Sequence, residues 1–183
     1  MFINNLLVGE RVKLTSLNEE DLAILENWYN DVNFLRLYDV ISAFPKSEMQ
    51  LLQMLNNKRS SSNSYIFAVR TLEDNTLIGV TGFEEILWNN GAATIFVGIG
   101  SSESRGKGYG KEALNLAMEF GFQELNFHRI QLTVIQYNKS AVNLYESLGY
   151  KREGIYREFI HRDGRRYDMY LYGILREEWE KLK

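Results

Sequence analysis

Apolar and polar residues alternate along several short segments of the chain, and a period of two is typical of strands that bury one face. Segment 92–100 differs because nearly every position is apolar, as in a strand covered on both faces. Polar turns such as Asn89-Asn90-Gly91 and Arg162-Asp163-Gly164 separate neighbouring segments. The pattern predicts strands at residues 10–17, 65–71, 77–87, 92–100, 129–135, 150–160 and 167–175.

A second pattern, with apolar residues three and four positions apart, is typical of helices that bury one side. It predicts helices at residues 18–30, after Pro45, at 109–126 and at 138–148. Asn18 and the acidic residues after it suit a helix start, and Gly149 falls where a helix-ending glycine belongs. Irregular segments or loops are expected at residues 31–45, 58–64 and 101–110.

The predicted order of elements is β-α-α-β-β-β-α-β-α-β-β. This order mixes hairpins with two strand-helix-strand crossovers, so it predicts an α+β layer fold rather than a doubly wound sheet. The chain has 183 residues and no second composition block, which predicts a single domain over residues 1–183 with its core at about 10–179.

The amino-acid composition excludes several classes of function. Apolar residues make up 45% of the chain, enough for a sizeable core, and the net charge of −3 gives no global attraction to nucleic acid or an anionic membrane. The absence of cysteine excludes disulfides and thiolate chemistry, and His128 and His161 lack a metal-like spacing, so no metal site is predicted. No signal peptide is recognisable and no apolar run has the roughly 20 residues that span a bilayer, so a cytoplasmic protein is expected.

The segment Arg105-Gly106-Lys107-Gly108-Tyr109-Gly110-Lys111, here called the glycine loop, lies between a predicted buried strand and a long helix. The free amides of a first helical turn, glycines that allow close backbone approach and three cations together favour a phosphate site. The nucleotide pattern GxxxxGK followed by Ser or Thr is absent, and the glycine spacing departs from GxGxxG. The alternative is that the glycines only permit a tight turn.

Two motifs carry the interpretation further. Arg105-x-x-Gly108-x-Gly110, preceded by residues 97–100 (Val-Gly-Ile-Gly), resembles the [Arg/Gln]-x-x-Gly-x-[Gly/Ala] acetyl-CoA motif of the GNAT N-acetyltransferase superfamily. Residues 138–150, Asn-Lys-Ser-Ala-Val-Asn-Leu-Tyr-Glu-Ser-Leu-Gly-Tyr, resemble its second hallmark. The resemblance covers about residues 14–179. It implies a three-layer fold with a mixed, mostly antiparallel twisted sheet flanked by helices, and an enzyme that transfers the acetyl group of acetyl-CoA to a primary amine by direct attack in a ternary complex.

The resemblance also implies the cofactor-binding residues. Backbone groups of Gly98, Ile99 and Gly100 would contact the pantetheine arm of acetyl-CoA. The amides of the glycine loop would hold its pyrophosphate (Arg105, Gly106, Lys107, Gly108, Tyr109, Gly110 and Lys111). Asn138 and Asn143 would bind the cofactor at the second helix, although Asn138 also suits a helix N-cap.

The predicted general acid is Tyr145, which would protonate the departing thiolate, although it is also explained as a packing residue on a helix face. The base is less well defined, because relatives often carry Glu in the strand before the glycine loop, where this chain has Thr94. Glu84 and Glu85 precede it, and strand alternation would direct only one of them into a cleft. Glu85 is the predicted base, by similarity to an acidic position in spermidine acetyltransferases. Glu84, water or an amine that arrives neutral are the alternatives.

The C-terminal segment 154–179 resembles the last hairpin of two groups, the ribosomal-protein N-terminal acetyltransferases and the bacterial spermidine acetyltransferases. The expected acceptor is therefore a peptide N-terminus or a small amine such as a polyamine. Acidic residues of the first helices suit a polyamine, and they equally suit helix capping (Glu19, Glu20, Asp21, Glu26, Asp31 and Asp39).

Two other function classes are weighed against this enzyme. A catalytically silent acyl-CoA-binding regulatory module would keep the glycine loop without needing Tyr145 or a base. Nucleic-acid binding is not expected, because acids interrupt the arginines of the last hairpin (Arg157, Arg162, Arg165 and Arg166). That hairpin is also rich in tyrosine, which is consistent with a homodimer interface.

Overall fold

The computed structural model describes residues 5–183, which form one seven-stranded sheet in the order β1-β2-β3-β4-β5-β7-β6. All neighbouring strands are antiparallel except β4 and β5, which are parallel. The strands are β1 (Val12–Thr15), β2 (Tyr65–Thr71), β3 (Leu77–Leu87), β4 (Ala92–Ile99), β5 (Arg129–Ile135), β6 (Lys151–Arg162) and β7 (Arg165–Leu175). The predicted α+β class and the mixed, mostly antiparallel sheet are confirmed.

Helices cover both faces of the sheet. They are α1 (Leu22–Asn30), α2 (Val32–Tyr38), α3 (Glu48–Ser60), α4 (Tyr109–Gln123), α5 (Lys139–Ser147) and α6 (Arg176–Glu180). One core cluster joins α1, α2 and α3 to one face of the sheet, and a second joins α4 and α5 to the other. We call these the α1–α3 face and the α4–α5 face. Within residues 5–183, no helix combines the length and the apolar character that crossing a membrane requires.

The structure adds two helices to the predicted order. Residues 31–45 were expected to be irregular, but α2 forms within them, because Asp31 caps the helix by accepting from the Asn33 amide at 2.9 Å and Phe34 and Leu35 are buried. At the C-terminus, α6 buries Trp179. Both helices span two turns or fewer, so a period of 3.6 residues has too few repeats to be detected.

Strands β4 and β5 separate after a short parallel contact. Their paired residues run only from Ala92 opposite Arg129 to Thr94 opposite Gln131. Beyond this point β4 stays with β3 as far as Ile99, and β5 stays with β7 to its end. A wedge-shaped gap therefore opens between the C-terminal halves of β4 and β5, with its apex at Thr94.

The gap corrects the expectation that residues 92–100 are covered on both faces. In β4, Ala93 and Ile95 are buried toward α4, whereas Thr94 and Phe96 on the α1–α3 face are only partly buried. Since an apolar run is also expected when a strand borders a cleft, the sequence pattern could not separate the two cases.

Candidate active site

The glycine loop ends in a helix start whose amides are free. Gly106 and Gly108 have φ of 74° and 86°, in the left-handed region that favours glycine, and Gly108 is the N-cap of α4 without any side-chain cap. The amide of Glu112 donates to the Gly108 carbonyl, so the first-turn amides before it lack helical acceptors. A Cβ on Gly106 would meet nothing within 4 Å, which shows that space lies beside the loop. These features suit an anion such as a pyrophosphate.

The start of α4 is held against β1. Oε1 of Glu112 accepts from the amides of Arg11 and Val12 at 2.7 and 3.0 Å, and Oε2 accepts from the Arg11 guanidinium at 3.0 Å. Arg11 also donates to the Lys107 carbonyl at 2.9 Å. Burial by itself would raise the pKa of Glu112, but these donors outweigh it and hold the pKa below its ordinary value.

Arg11 was not predicted to take part in the site. It lies 96 residues from Lys107 in the chain, and no local pattern marks a lone arginine before a strand as a partner of that loop. Lys107 and Lys111 are exposed. Arg105 instead folds back, donating to the carbonyls of Ile99 and Gly100 at 2.9 and 2.8 Å, so its guanidinium holds the base of the loop.

Strand β4 presents alternate amides to the gap. The amide of Gly100 donates to Ile78 of β3 at 3.0 Å. Because amides alternate along a strand, that of Gly98 also faces β3, whereas those of Val97 and Ile99 face the gap. Of the three residues expected to contact the pantetheine arm, only Ile99 therefore directs its N–H toward the gap.

The two glycines of β4 make room for aromatic rings. A Cβ on Gly98 would lie 2.6 Å from the Tyr38 ring, and one on Gly100 would lie 1.8 Å from the Trp28 ring. The close approach that these glycines predicted is thus made by residues of α1 and α2.

Asn138 begins α5 and also contacts α2. Its Oδ1 accepts from the Ala141 amide at 3.2 Å, which is the expected N-cap, and its Nδ2 donates to the Leu37 carbonyl at 3.1 Å. The neighbouring Tyr137 hydroxyl donates to the Arg36 carbonyl at 2.5 Å. The end of α2 therefore rests on the turn after β5, where the gap is wide. Asn143 lies exposed on α5.

Tyr145 lies on the α4–α5 face, where it is 7% exposed, and its ring meets that of Tyr150 edge-on at 5.9 Å. Burial raises the pKa of Tyr145 to about 12, because the phenolate is poorly solvated there. The hydroxyl is therefore protonated at neutral pH and can act as a donor. Burial is the sole cause of the raised pKa, and no hydrogen bond from residues 5–183 contributes to it.

Glu84 and Glu85 both lie on the α1–α3 face, contrary to the alternation expected for a strand. A bulge interrupts the pairing of β3 with β4 here, and Glu85 has a φ of 52°. Phe83 and Ile86 on either side both pack into the core of the α4–α5 face. The bulge inserts an extra residue between them, so the two carboxylates share one side.

The two carboxylates have different partners. Glu85 is exposed, and its Oε2 accepts from the Thr94 hydroxyl at 3.0 Å, which places it at the apex of the gap. Glu84 pairs with Lys58 at 2.8 Å. Glu85 is therefore the carboxylate at the apex without a cationic partner among the described residues, and Thr94 orients it.

Aromatic rings complete the α1–α3 side of the apex. Tyr38 stacks on Phe34 at 5.0 Å and meets Tyr29 edge-on at 6.4 Å. Burial, followed by the charge of Asp39, raises the pKa of Tyr29 to about 12. Within residues 5–183, no group of three or more His, Asp or Glu side chains has the geometry to hold a metal ion.

Comparison with known proteins identifies the class. Residues 14–171 match the family model described as "Acetyltransferase (GNAT) domain", so the chain belongs to the GNAT acetyltransferase family. It is 30% identical to the spermidine N(1)-acetyltransferase of Vibrio cholerae over 94% of this chain and 97% of that protein. It is 22% identical to the [ribosomal protein uS5]-alanine N-acetyltransferase of Escherichia coli over 94% and 92%.

A solved structure supports the same family assignment. The crystal structure of the Vibrio cholerae spermidine N-acetyltransferase in complex with CoA and spermine superposes with a TM-score of 0.84 at 28% identity, covering 92% of this chain and 98% of that one. The predicted GNAT fold and family are confirmed, and the chain is an acetyl-CoA-dependent N-acetyltransferase.

Proposed function

We propose that this enzyme acetylates a primary amine by direct attack on acetyl-CoA, with the thioester held in the gap between β4 and β5. The observation that carries the proposal is that Tyr145 packs on the α4–α5 face of the sheet, whereas Glu85, bonded to Thr94, lies at the apex on the α1–α3 face. The amine and the leaving group are then served from opposite faces of the sheet.

The cofactor is oriented by backbone groups. Free amides of the glycine loop and the first turn of α4 bind the pyrophosphate, with Lys107 and Lys111 adding charge. The pantetheine arm runs along β4, and an amide of Val97 or Ile99 polarises the acetyl carbonyl as negative charge develops on its oxygen. Asn143 lies outside the gap, so a role for it is restricted to the outer part of the cofactor.

The chemistry removes two protons from the ammonium nitrogen and supplies one to the departing sulfur. Glu85 takes a proton from the incoming ammonium, directly or through water, and the neutral amine attacks the acetyl carbon. The attacking nitrogen loses its second proton to water, the carbon–sulfur bond breaks, and the Tyr145 hydroxyl donates a hydrogen bond or its proton to the thiolate of CoA. Thr94 positions Glu85 and does not itself accept a proton.

The proposed acceptor is a primary amine of a polyamine or of a peptide N-terminus. Two observations support this class. Two relatives are a spermidine N(1)-acetyltransferase and a [ribosomal protein uS5]-alanine N-acetyltransferase. In addition, acidic and aromatic side chains border the apex on its open side, which suits an ammonium group.

The test is an acceptor panel assayed with acetyl-CoA, in which CoA release is followed with a thiol reagent and acetylated product by mass spectrometry. The panel contains spermidine, spermine and short peptides that begin with Ala, Ser or Met. Acetylated product from at least one amine is expected. The proposal fails if CoA binds by calorimetry and no amine is acetylated.

Glu85→Gln tests the base. Activity is expected to fall about 10²- to 10⁴-fold at neutral pH, and to recover partly as the pH rises and the amine loses its proton unaided. Glu84→Gln is the matched control, because it changes the neighbouring carboxylate by the same atoms. An equal loss in both variants, with no pH dependence, would exclude Glu85 as the base.

The enzyme is further proposed to form a homo-oligomer through β6. This strand is the sheet edge, and Ile155, Tyr156 and Phe159 are 47%, 46% and 54% exposed on it. A structural neighbour, the spermidine N-acetyltransferase of Vibrio cholerae, is described as dodecameric. Light scattering after size exclusion should show an oligomer that Phe159→Asp reduces in size; a monomeric native chain would contradict the proposal.

A further inference from the structure

Two lysines of the chain itself contact the aromatic and acidic side chains beside the apex. Nζ of Lys58 lies 2.8 Å from Oε2 of Glu84 and 4.9 Å from the centre of the Phe96 ring. Nζ of Lys46 lies 4.8 Å from the centre of the Tyr29 ring. Ammonium groups therefore already fill the places where a second ammonium of an acceptor would be attracted.

Lys58 is the more informative of the two because of its partner. Glu84 is the residue of β3 directly opposite Thr94, and it shares a face with Glu85. A polyamine that presents one amine at the apex needs an acidic partner for its next ammonium. Lys58 neutralises the carboxylate nearest to that position and adds a like charge, which repels a second ammonium.

We propose that Lys58 determines the acceptor class of the site, favouring a peptide α-amine over a polyamine. This inference rests on the proposed function. An α-amine is followed by a neutral peptide group, and the carbonyl of that group can accept a hydrogen bond from the Lys58 ammonium. Nothing in such an acceptor is repelled by the Lys58–Glu84 pair.

The ordinary pKa values of the two kinds of amine also favour a peptide α-amine. An α-amine has an ordinary pKa of about 8, so about one molecule in ten is already neutral at pH 7, whereas an alkylamine with a pKa near 10.4 is neutral in only about one molecule in 2,500. Removing the proton of an α-amine therefore costs less free energy than removing that of a polyamine, whichever group accepts it.

Lys58 is also explained as a residue that only stabilises the fold. It lies in the last turn of α3, where a cation suits the helix dipole, and the side chains of Lys58 and Glu84 are 31% and 43% exposed. That account predicts that neutralising Lys58 leaves acceptor preference unchanged, so preference is the quantity to measure.

The experiment compares wild type with Lys58→Met, which removes the charge and keeps the stem beside Phe96. With CoA bound, calorimetric titration of Lys58→Met with spermidine is expected to show about tenfold tighter binding than wild type, and kcat/KM for spermidine should rise about tenfold through KM. kcat/KM for a peptide beginning with Ala should not rise. In Lys58→Met with Glu84→Gln, the gain for spermidine should disappear, because the freed carboxylate is gone.

Lys183→Met is the matched control. Lys183 pairs with Glu119 at 2.7 Å on α4, its side chain is 45% exposed, and its loss changes the net charge equally. Lys58→Gln provides a second variant if Lys58→Met is misfolded by circular dichroism. An unchanged spermidine Kd in the Lys58 variants, or an equal change in Lys183→Met, overturns the proposal for Lys58. The binding measurement is independent of turnover, so a failure of every amine to react would instead overturn the proposed function.

Discussion

The Tyr145 hydroxyl is deeply buried, and its burial limits how it can act. Its pKa of about 12 keeps it protonated at neutral and moderately alkaline pH. A thiol has an ordinary pKa of about 8.5, so complete proton transfer from Tyr145 to the CoA thiolate would be uphill. A hydrogen bond from Tyr145 that stabilises the thiolate, which later takes its proton from water, fits these values better.

Tyr145→Phe is expected to lower kcat by about 10²- to 10⁴-fold and to leave CoA affinity unchanged, because only the donor is removed. In the wild type, ionisation of Tyr145 should cause no loss of activity between pH 7 and 10. Stopped-flow thiol release and calorimetry with CoA measure the two effects. Unchanged kcat in the Phe variant would show that Tyr145 is a packing residue.

Single residues also show where prediction from the sequence ends. The glycines of residues 106–110 indicated backbone conformations barred to other residues, and Gly106 and Gly108 do adopt positive φ. The partners of Gly98 and Gly100 are the rings of Tyr38 and Trp28, which the chain brings from at least 60 residues away. No spacing rule contains that information, because it depends on how α1 and α2 pack on the sheet.

At the scale of elements, α4 depends on an anchor outside itself. Glu112 lies in its first turn and accepts three hydrogen bonds from Arg11 and Val12. The anchor fixes the direction in which the free amides of α4 point, and so links the stability of β1 to cofactor binding.

Glu112→Gln should lower the free energy of unfolding by about 1–3 kcal/mol at pH 7, because charge-assisted bonds to the β1 amides are lost. The pKa of Glu112 is depressed in the folded state, so its contribution is present above the unfolded pKa of about 4.3 and is lost as the pH falls through the folded pKa. Urea unfolding at pH 7 and at pH 3 should therefore show the two proteins converging in acid. Glu119→Gln, elsewhere on α4, is the control, and a difference that persists in acid would contradict this account.

Two helices and a bulge were missed, for different reasons. Helices α2 and α6 are too short to show a period, and the bulge at Glu85 leaves the apolar alternation of β3 looking regular on both sides. Cross-strand register decides a bulge, and a single sequence does not contain register. The consequence is functional, since the bulge brings Glu84 and Glu85 to one face.

At the scale of the whole molecule, the last hairpin holds the loop after α2. The Arg162 guanidinium donates to the carbonyls of Val40 and Ile41 at 3.2 and 2.7 Å, and Asp163 pairs with Arg36. These contacts join segments more than 120 residues apart across the open side of the gap.

Arg162→Ala is expected to raise KM for the acceptor several-fold and to speed amide hydrogen exchange in residues 39–41, because the loop loses its main side-chain contacts. CoA affinity should change little. Arg165→Ala, an exposed arginine of the same turn, serves as the control. If exchange in residues 39–41 is unaffected by Arg162→Ala, the contact does not hold the loop.

The sequence alone determined the fold class, the order of most elements, the position of the glycine loop before a helix and the family, because these depend on local periodicity and on motifs whose residues are close in the chain. The cytoplasmic location and the single-domain organisation stay predictions. Only the tertiary structure decided the separation of β4 from β5, the anchoring of the glycine loop by Arg11, the shared face of Glu84 and Glu85, and the pairing of Lys58 with Glu84. Each depends on contacts between segments distant in sequence, whose energies are set by packing and register and leave no local pattern.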